Sequence, residues 1–118
     1  MDKLLELAAR LPSGLNDPRA LEKFHRERQE LAEALAAGDR IGALLEAGDC
    51  LYYTTKARYN KLADESEIAR LNTDVIEMSG FPPEIIRAAA IAKYTLRARP
   101  GNPKDDAAER AAVAHLAQ

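Results

Sequence analysis

Glu30-Leu-Ala-Glu33 and Glu46-Ala-Gly-Asp49 stand on either side of a Gly38-Asp39 turn. Side chains three apart on a helix are neighbours, with β-carbons about 5–6 Å apart. Each pair therefore sets two carboxylates on one helical face. If the two helices run antiparallel across the turn, Glu30, Glu33, Glu46 and Asp49 converge on one point. Four anions in one place repel one another unless a cation sits among them. Oxygen donors of this kind suit a hard divalent ion, Mg²⁺ first and Mn²⁺ as the alternative. The chemistry implied is that of a metal-carboxylate centre.

Those acids need two adjacent helices, and the punctuation of the chain supplies them. Leu4, Leu5, Leu7, Ala8 and Leu11 outline a short first helix over roughly 2–11, stopped at Pro12-Ser13-Gly14. Asp17-Pro18 gives a cap and a first-turn proline for a second helix that runs to about Ala37 and closes at Gly38. Asp39 can cap a third helix reaching about Ala63. Asp64-Glu-Ser-Glu67 has the form of a capping box for a fourth, ended by Gly80. Pro82-Pro83 opens a fifth that finishes before Pro100-Gly101, and Asn102-Pro103 opens a sixth reaching nearly to Gln118. No repeat and no alternating strand pattern is present. The fold class expected is all-α: one domain, 1–118, forming a bundle of about five to six helices completed by oligomerisation.

Helical phase sorts the side chains. On the second helix Leu21, Phe24, Leu31 and Leu35 form an apolar stripe interrupted by Arg28, with Glu30 and Glu33 on the other side. For that pair alone a solvated face is the favoured explanation, since such spacing is common in Glu-rich helices. On the third helix Ile41, Leu44, Leu45, Leu51, Tyr52, Tyr59 and Leu62 share a broad apolar stripe. Nearly opposite run Glu46, Asp49, Tyr53, Lys56 and Asn60: acids, a phenol, a cation and an amide over four turns. Metal ligands at one end and phosphate or base contacts at the other would use that series. A solvated face would too, although the Tyr53 ring suits open water poorly.

Composition narrows the classes. The 118 residues carry 17 Lys and Arg against 19 Asp and Glu, a net charge of −2. Mixed signs near balance give no electrostatic case for nucleic acid or a membrane as partner. Cys50 is the single cysteine, so no intrachain disulfide can form, and a reducing, cytoplasmic setting is expected. No apolar stretch reaches membrane-spanning length and no signal-peptide pattern opens the chain. Glu22-Lys-Phe-His25 has the Glu-x-x-His form of di-iron bundles, but those need two such motifs, and His115 has Ala112 three residues before it. Neither a phosphate loop nor a Cys/His zinc spacing occurs. Cys50 reads as packing, and Arg97, Arg99 and Lys104 as a solvated basic loop, which could close over an anion if a partner subunit brought it near.

Glu-x-x-Glu, twelve residues, then Glu-x-x-Asp resembles the signature of the MazG-like all-α nucleoside triphosphate pyrophosphohydrolases. The match extends to the wording around it, Glu30-Leu-Ala-Glu33-Ala-Leu-Ala-Ala-Gly38-Asp39-Arg40 and Leu45-Glu46-Ala-Gly48-Asp49-Cys-Leu-Tyr52-Tyr53, and covers roughly residues 26–56. Lys93-Tyr94-Thr-Leu-Arg97 is similar to a looser Lys-aromatic-x-x-Arg segment that holds substrate phosphates in relatives. Many of those carry Asn two positions before the Lys, where this chain has Ile91. An ordinary basic last turn, complementing the helix dipole, explains Lys93 and Arg97 equally well.

The resemblance implies an enzyme, dependent on magnesium, that splits an NTP or dNTP to the monophosphate and pyrophosphate. Glu30, Glu33, Glu46 and Asp49 would be its metal ligands and catalytic acids. Tyr53, Lys56, Asn60, Lys93 and Arg97 would be substrate contacts. It also implies a homodimer or homotetramer. A phosphoribosyl-ATP pyrophosphohydrolase is less favoured, because Tyr53 stands where that branch has His and its Lys-Lys neighbours are missing. The rival from another class is a non-catalytic helical interaction protein whose acids are only surface.

Overall fold

Aspartates cap four of the helix starts. The expected cap at Asp17 is not among them, because the second helix begins at Ala20 behind Arg19, which makes no side-chain capping bond. In the computed structural model, which describes residues 1–101 and 104–118, the helices are α1 (Lys3–Ala8), α2 (Ala20–Ala36), α3 (Arg40–Tyr59), α4 (Glu65–Ser79), α5 (Pro83–Arg97) and α6 (Asp106–Val113). A 3₁₀ turn, Ala114–Ala117, follows. Asp2, Asp39, Asp64 and Asp105 each stand one residue before a helix. Each accepts a hydrogen bond from that helix's first turn: Leu4 N at 2.7 Å, Gly42 N at 3.0 Å, Glu67 N at 2.8 Å and Ala108 N at 3.1 Å. These bonds satisfy donors that a helix start otherwise leaves open. Among the described residues there is no strand, so the all-α expectation holds.

α3 is the hub. It packs against α1, α2, α4, α5, α6 and the 3₁₀ turn, and its Ala43, Leu44, Ala47 and Cys50 are fully buried. Around it Phe24 and Leu31 from α2, Leu71 and Val75 from α4, Ile86 and Ala89 from α5, and Val113 from α6 form the main core. A second cluster joins Leu7 and Ala8 of α1 to Tyr52 and Tyr94, whose rings stack with centroids 3.8 Å apart. α3 is therefore buried on several sides rather than along one stripe. Gly48 makes the α3–α5 contact close: a β-carbon there would lie 3.1 Å from the Ala90 nitrogen and 3.2 Å from its α-carbon.

Some boundaries differ from the sequence expectation. α3 stops at Tyr59, short of Ala63, because Lys61 takes a left-handed conformation, φ 56°. Leu62 N then reaches Ala57 O at 3.0 Å and Lys61 N reaches Arg58 O at 3.1 Å, a Schellman closure with lysine in the glycine place. The expected start of the sixth helix at Asn102-Pro103 lies outside the described residues, and the helix itself begins at Asp106. Arg28 does not stand alone in its stripe; its Nε pairs with Asp74 Oδ2 on α4 at 2.5 Å. No helix among the described residues is long and apolar enough to cross a membrane.

Candidate active site

The phase of α2 is set by Phe24 and Leu31, both fully buried against α3. Glu27 lies three residues after the first and four before the second, so it is carried inward with them. On α3, Glu46 and Asp49 face it. Ligand oxygens of Glu27, Glu46 and Asp49 all lie within 4.8 Å of one another. Glu30, half-buried one turn along α2, interacts with both Glu27 and Glu46. The inward pair on α2 is thus Glu27 and Glu30. Glu33 is exposed and only lines the surrounding cleft.

These acids meet at an electrostatic cost. Burial, followed by its contact with Glu27 and the charge of Asp49, pushes the Glu46 carboxyl up to about 9. Burial also raises Glu27, to about 6. Glu30 is held below its ordinary value, first by hydrogen bonding from Glu27 and, against the opposing pull of burial, from Glu46. As carboxylates these groups can only accept, and Glu46 Oε2 is buried without a hydrogen-bond partner. Shared protons or a cation are the two remedies for such a cluster.

Glu27 Oε1 pairs with Arg26 Nη2 of its own helix at 3.4 Å, whereas Asp49 has its charge met from α5. Lys93 Nζ donates to its Oδ2 at 2.7 Å and the Tyr94 hydroxyl to its Oδ1 at 2.9 Å. Both donors come from α5, across the close Gly48–Ala90 approach. Lys93 Nζ also lies 3.9 Å from Glu109 Oε1 on α6. Glu109 in turn accepts two bonds from Arg97, Nε to Oε2 at 2.9 Å and Nη2 to Oε1 at 3.2 Å. Acids of α2 and α3 therefore face a cationic wall from α5 that α6 braces.

One cleft of about 870 Å³ contains both sides. It takes in Glu27, Glu30, Glu33, Glu46 and Asp49, the cations Lys93 and Arg97, and Tyr53, which is half-buried. Lys56 and Asn60 do not line it. Lys56 is fully buried at the far end of α3, 3.2 Å from Asp17 Oδ2. The Asn60 amide donates to Leu15 O and Lys56 O, both at 2.8 Å, and its oxygen accepts from Asp17 N at 3.2 Å. These two residues pin the α1–α2 connection onto α3. The polar series on α3 is split between a cleft and an anchor.

Other candidates fall outside the cleft. His25 is exposed beside the Arg28–Asp74 pair. Cys50 is buried and its thiol pushed up, first by burial and then by the nearby acids. Comparison with protein-family models, curated proteins and solved structures finds no match for this chain.

Two residues of the site were missed in the sequence. Glu27 repeats the same Glu-x-x-Glu spacing one turn earlier, Glu27-Arg-Gln-Glu30, and its signal is an acid in phase with Phe24 and Leu31. Glu109 has the same kind of signal, since it lies four residues before buried Val113. An acid in register with apolar residues marks a buried charge that needs a partner.

Proposed function

We propose that this protein is a divalent-ion-dependent pyrophosphohydrolase acting on a nucleoside triphosphate, releasing the monophosphate and pyrophosphate. The observation that carries this reading is the two-sided cleft: buried acids of α2 and α3 opposite Lys93 and Arg97 of α5. A surface acid patch kept for solubility has no reason to bury Glu27 and Asp49 or to leave Glu46 Oε2 unpaired. The resemblance of residues 26–56 to the MazG-like signature supports the same reaction class.

The donor set fits Mg²⁺ or Mn²⁺: only oxygens, clustered, with one orphaned. Glu27, Glu46 and Asp49 would hold the ion, with Glu30 beside them. A bound ion supplies charge neutralisation at the phosphates and activation of water. Lys93 and Arg97, on the opposite wall, hold the triphosphate and offset charge that develops on the leaving pyrophosphate. Tyr53 offers an aromatic face to the base or sugar. Water adds across the α–β anhydride, and its proton passes to Glu30, which lies outside the inner trio and is ionised at neutral pH. Assembly as a dimer or a dimer of dimers would complete the nucleoside end of this open cleft.

The test is pyrophosphate release from a panel of dNTPs and NTPs with Mg²⁺. Turnover by the parent protein, lost by at least 100-fold in Glu46→Gln and Asp49→Asn with helicity retained, supports the enzyme. No turnover of any nucleotide, together with no thermal stabilisation by Mg²⁺ or Mn²⁺, overturns it in favour of a non-catalytic interaction protein.

A further inference from the structure

Lys93 stands between two buried acids on different helices. Its ammonium is 2.7 Å from Asp49 Oδ2 on α3 and 3.9 Å from Glu109 Oε1 on α6. The lysine side chain is 8% exposed and those of Asp49 and Glu109 are 7% and 3%. All three charges are sheltered from water and depend on one another. In this arrangement Lys93 is the cation that neutralises Asp49, the task a divalent ion would take over. Two cations on one carboxylate repel, so an ion bound there displaces the lysine from it. A sheltered lysine displaced with no carboxylate to receive it would be costly. Glu109 is already within an ångström or so of hydrogen-bonding range, and Arg97 holds it still through two bonds.

We propose that Glu109 is the seat to which the Lys93 ammonium moves when a divalent cation takes Asp49. Glu109 is then a positioning residue. It lowers the cost of metal binding by receiving the lysine, and it leaves Lys93 and Arg97 side by side on one carboxylate, facing the cleft. The inference rests on the pyrophosphohydrolase reading only for the presence of the ion. Its content concerns how the protein's own charges rearrange.

Mn²⁺ affinity, measured by calorimetry, tests it without substrate. Glu109→Gln weakens Mn²⁺ binding by about tenfold in the parent background, because the lysine loses its alternative partner. Lys93→Met strengthens binding, because the resident competitor is gone. The decisive comparison is the double variant. If Glu109 acts through Lys93, adding Glu109→Gln to Lys93→Met costs less than about twofold. If Glu109→Gln costs the same in both backgrounds, it acts only through the general field of the cleft, and the proposal is overturned. A second measurement needs no substitution: the Lys93 side-chain NMR resonances of the parent protein shift in step with Mg²⁺ saturation. Resonances that stay in place while Mg²⁺ binds overturn the proposal as well. Absence of any Mn²⁺ or Mg²⁺ binding to the parent sinks both this inference and the reading beneath it. Binding without the coupling sinks this inference alone.

Discussion

Two acids six positions apart on α2 have opposite circumstances. Glu27 is buried against Glu46 and Asp49, whereas Glu33 is exposed at the cleft. Their substitution therefore has different consequences. A ligand that binds only the folded state at 100 times its dissociation constant stabilises it by about 2.7 kcal/mol. Saturating Mg²⁺ should raise the melting temperature of the parent and of Glu33→Gln alike, and should do so far less in Glu27→Gln. Without metal, Glu27→Gln should be at least as stable as the parent, since one repelling buried acid is gone. Equal Mg²⁺ responses in the two variants, followed by circular dichroism, would remove Glu27 from the ligand set. The sequence leaves this choice open because Glu27, Glu30 and Glu33 form two overlapping pairs of identical spacing. Spacing names a face, and only the burial of Phe24 and Leu31 turns one of the faces inward.

At the scale of elements, the decisive contact is between α3 and α5. Asp49 meets Lys93 and Tyr94 because the residue before it is Gly48, whose missing side chain lets the Ala90 backbone approach. Gly48→Val forces bulk against backbone atoms that have no rotamer with which to yield. A loss of about 2 kcal/mol is expected from overpacking. Thermal melts should show it, and calorimetry should show weaker Mn²⁺ binding as the helices separate. Unchanged Mn²⁺ affinity would mean that the acid cluster does not depend on this approach. The helices themselves were legible, because capping aspartates and closing glycines are local signals. The end of α3 was not, since it depends on Lys61 adopting a conformation in which glycine is the usual occupant. Nor was the split of the α3 polar series. Whether Lys56 meets a substrate or Asp17 is decided by where a distant loop lies.

Over the whole molecule, that loop matters for acid stability. Burial pushes the Asp17 carboxyl up, but hydrogen bonds from Lys23 and Lys56 outweigh it and leave it below its ordinary 3.8. The folded value is the lower one, so the unfolded chain binds the proton more readily. Asp17 therefore adds stability that is complete above about pH 3.8 and is lost as pH falls through the folded value. Asp17→Asn should lower stability at neutral pH by about 3 kcal/mol, because Lys56 stays buried without its counter-charge. Denaturant titrations at several pH values should also find a shallower acid limb in the variant. A limb as steep as the parent's would assign acid sensitivity elsewhere.

Cys50 sits at the centre of the hub, fully buried, with its thiol disposed to keep its proton. Alkylating reagents attack the thiolate, so they are barred twice over while the helices stay packed. Modification must await an opening event that frees α3 from its neighbours, and its rate reports how often that happens. The lone thiol is thus a native clock for breathing of the bundle, needing no engineered probe.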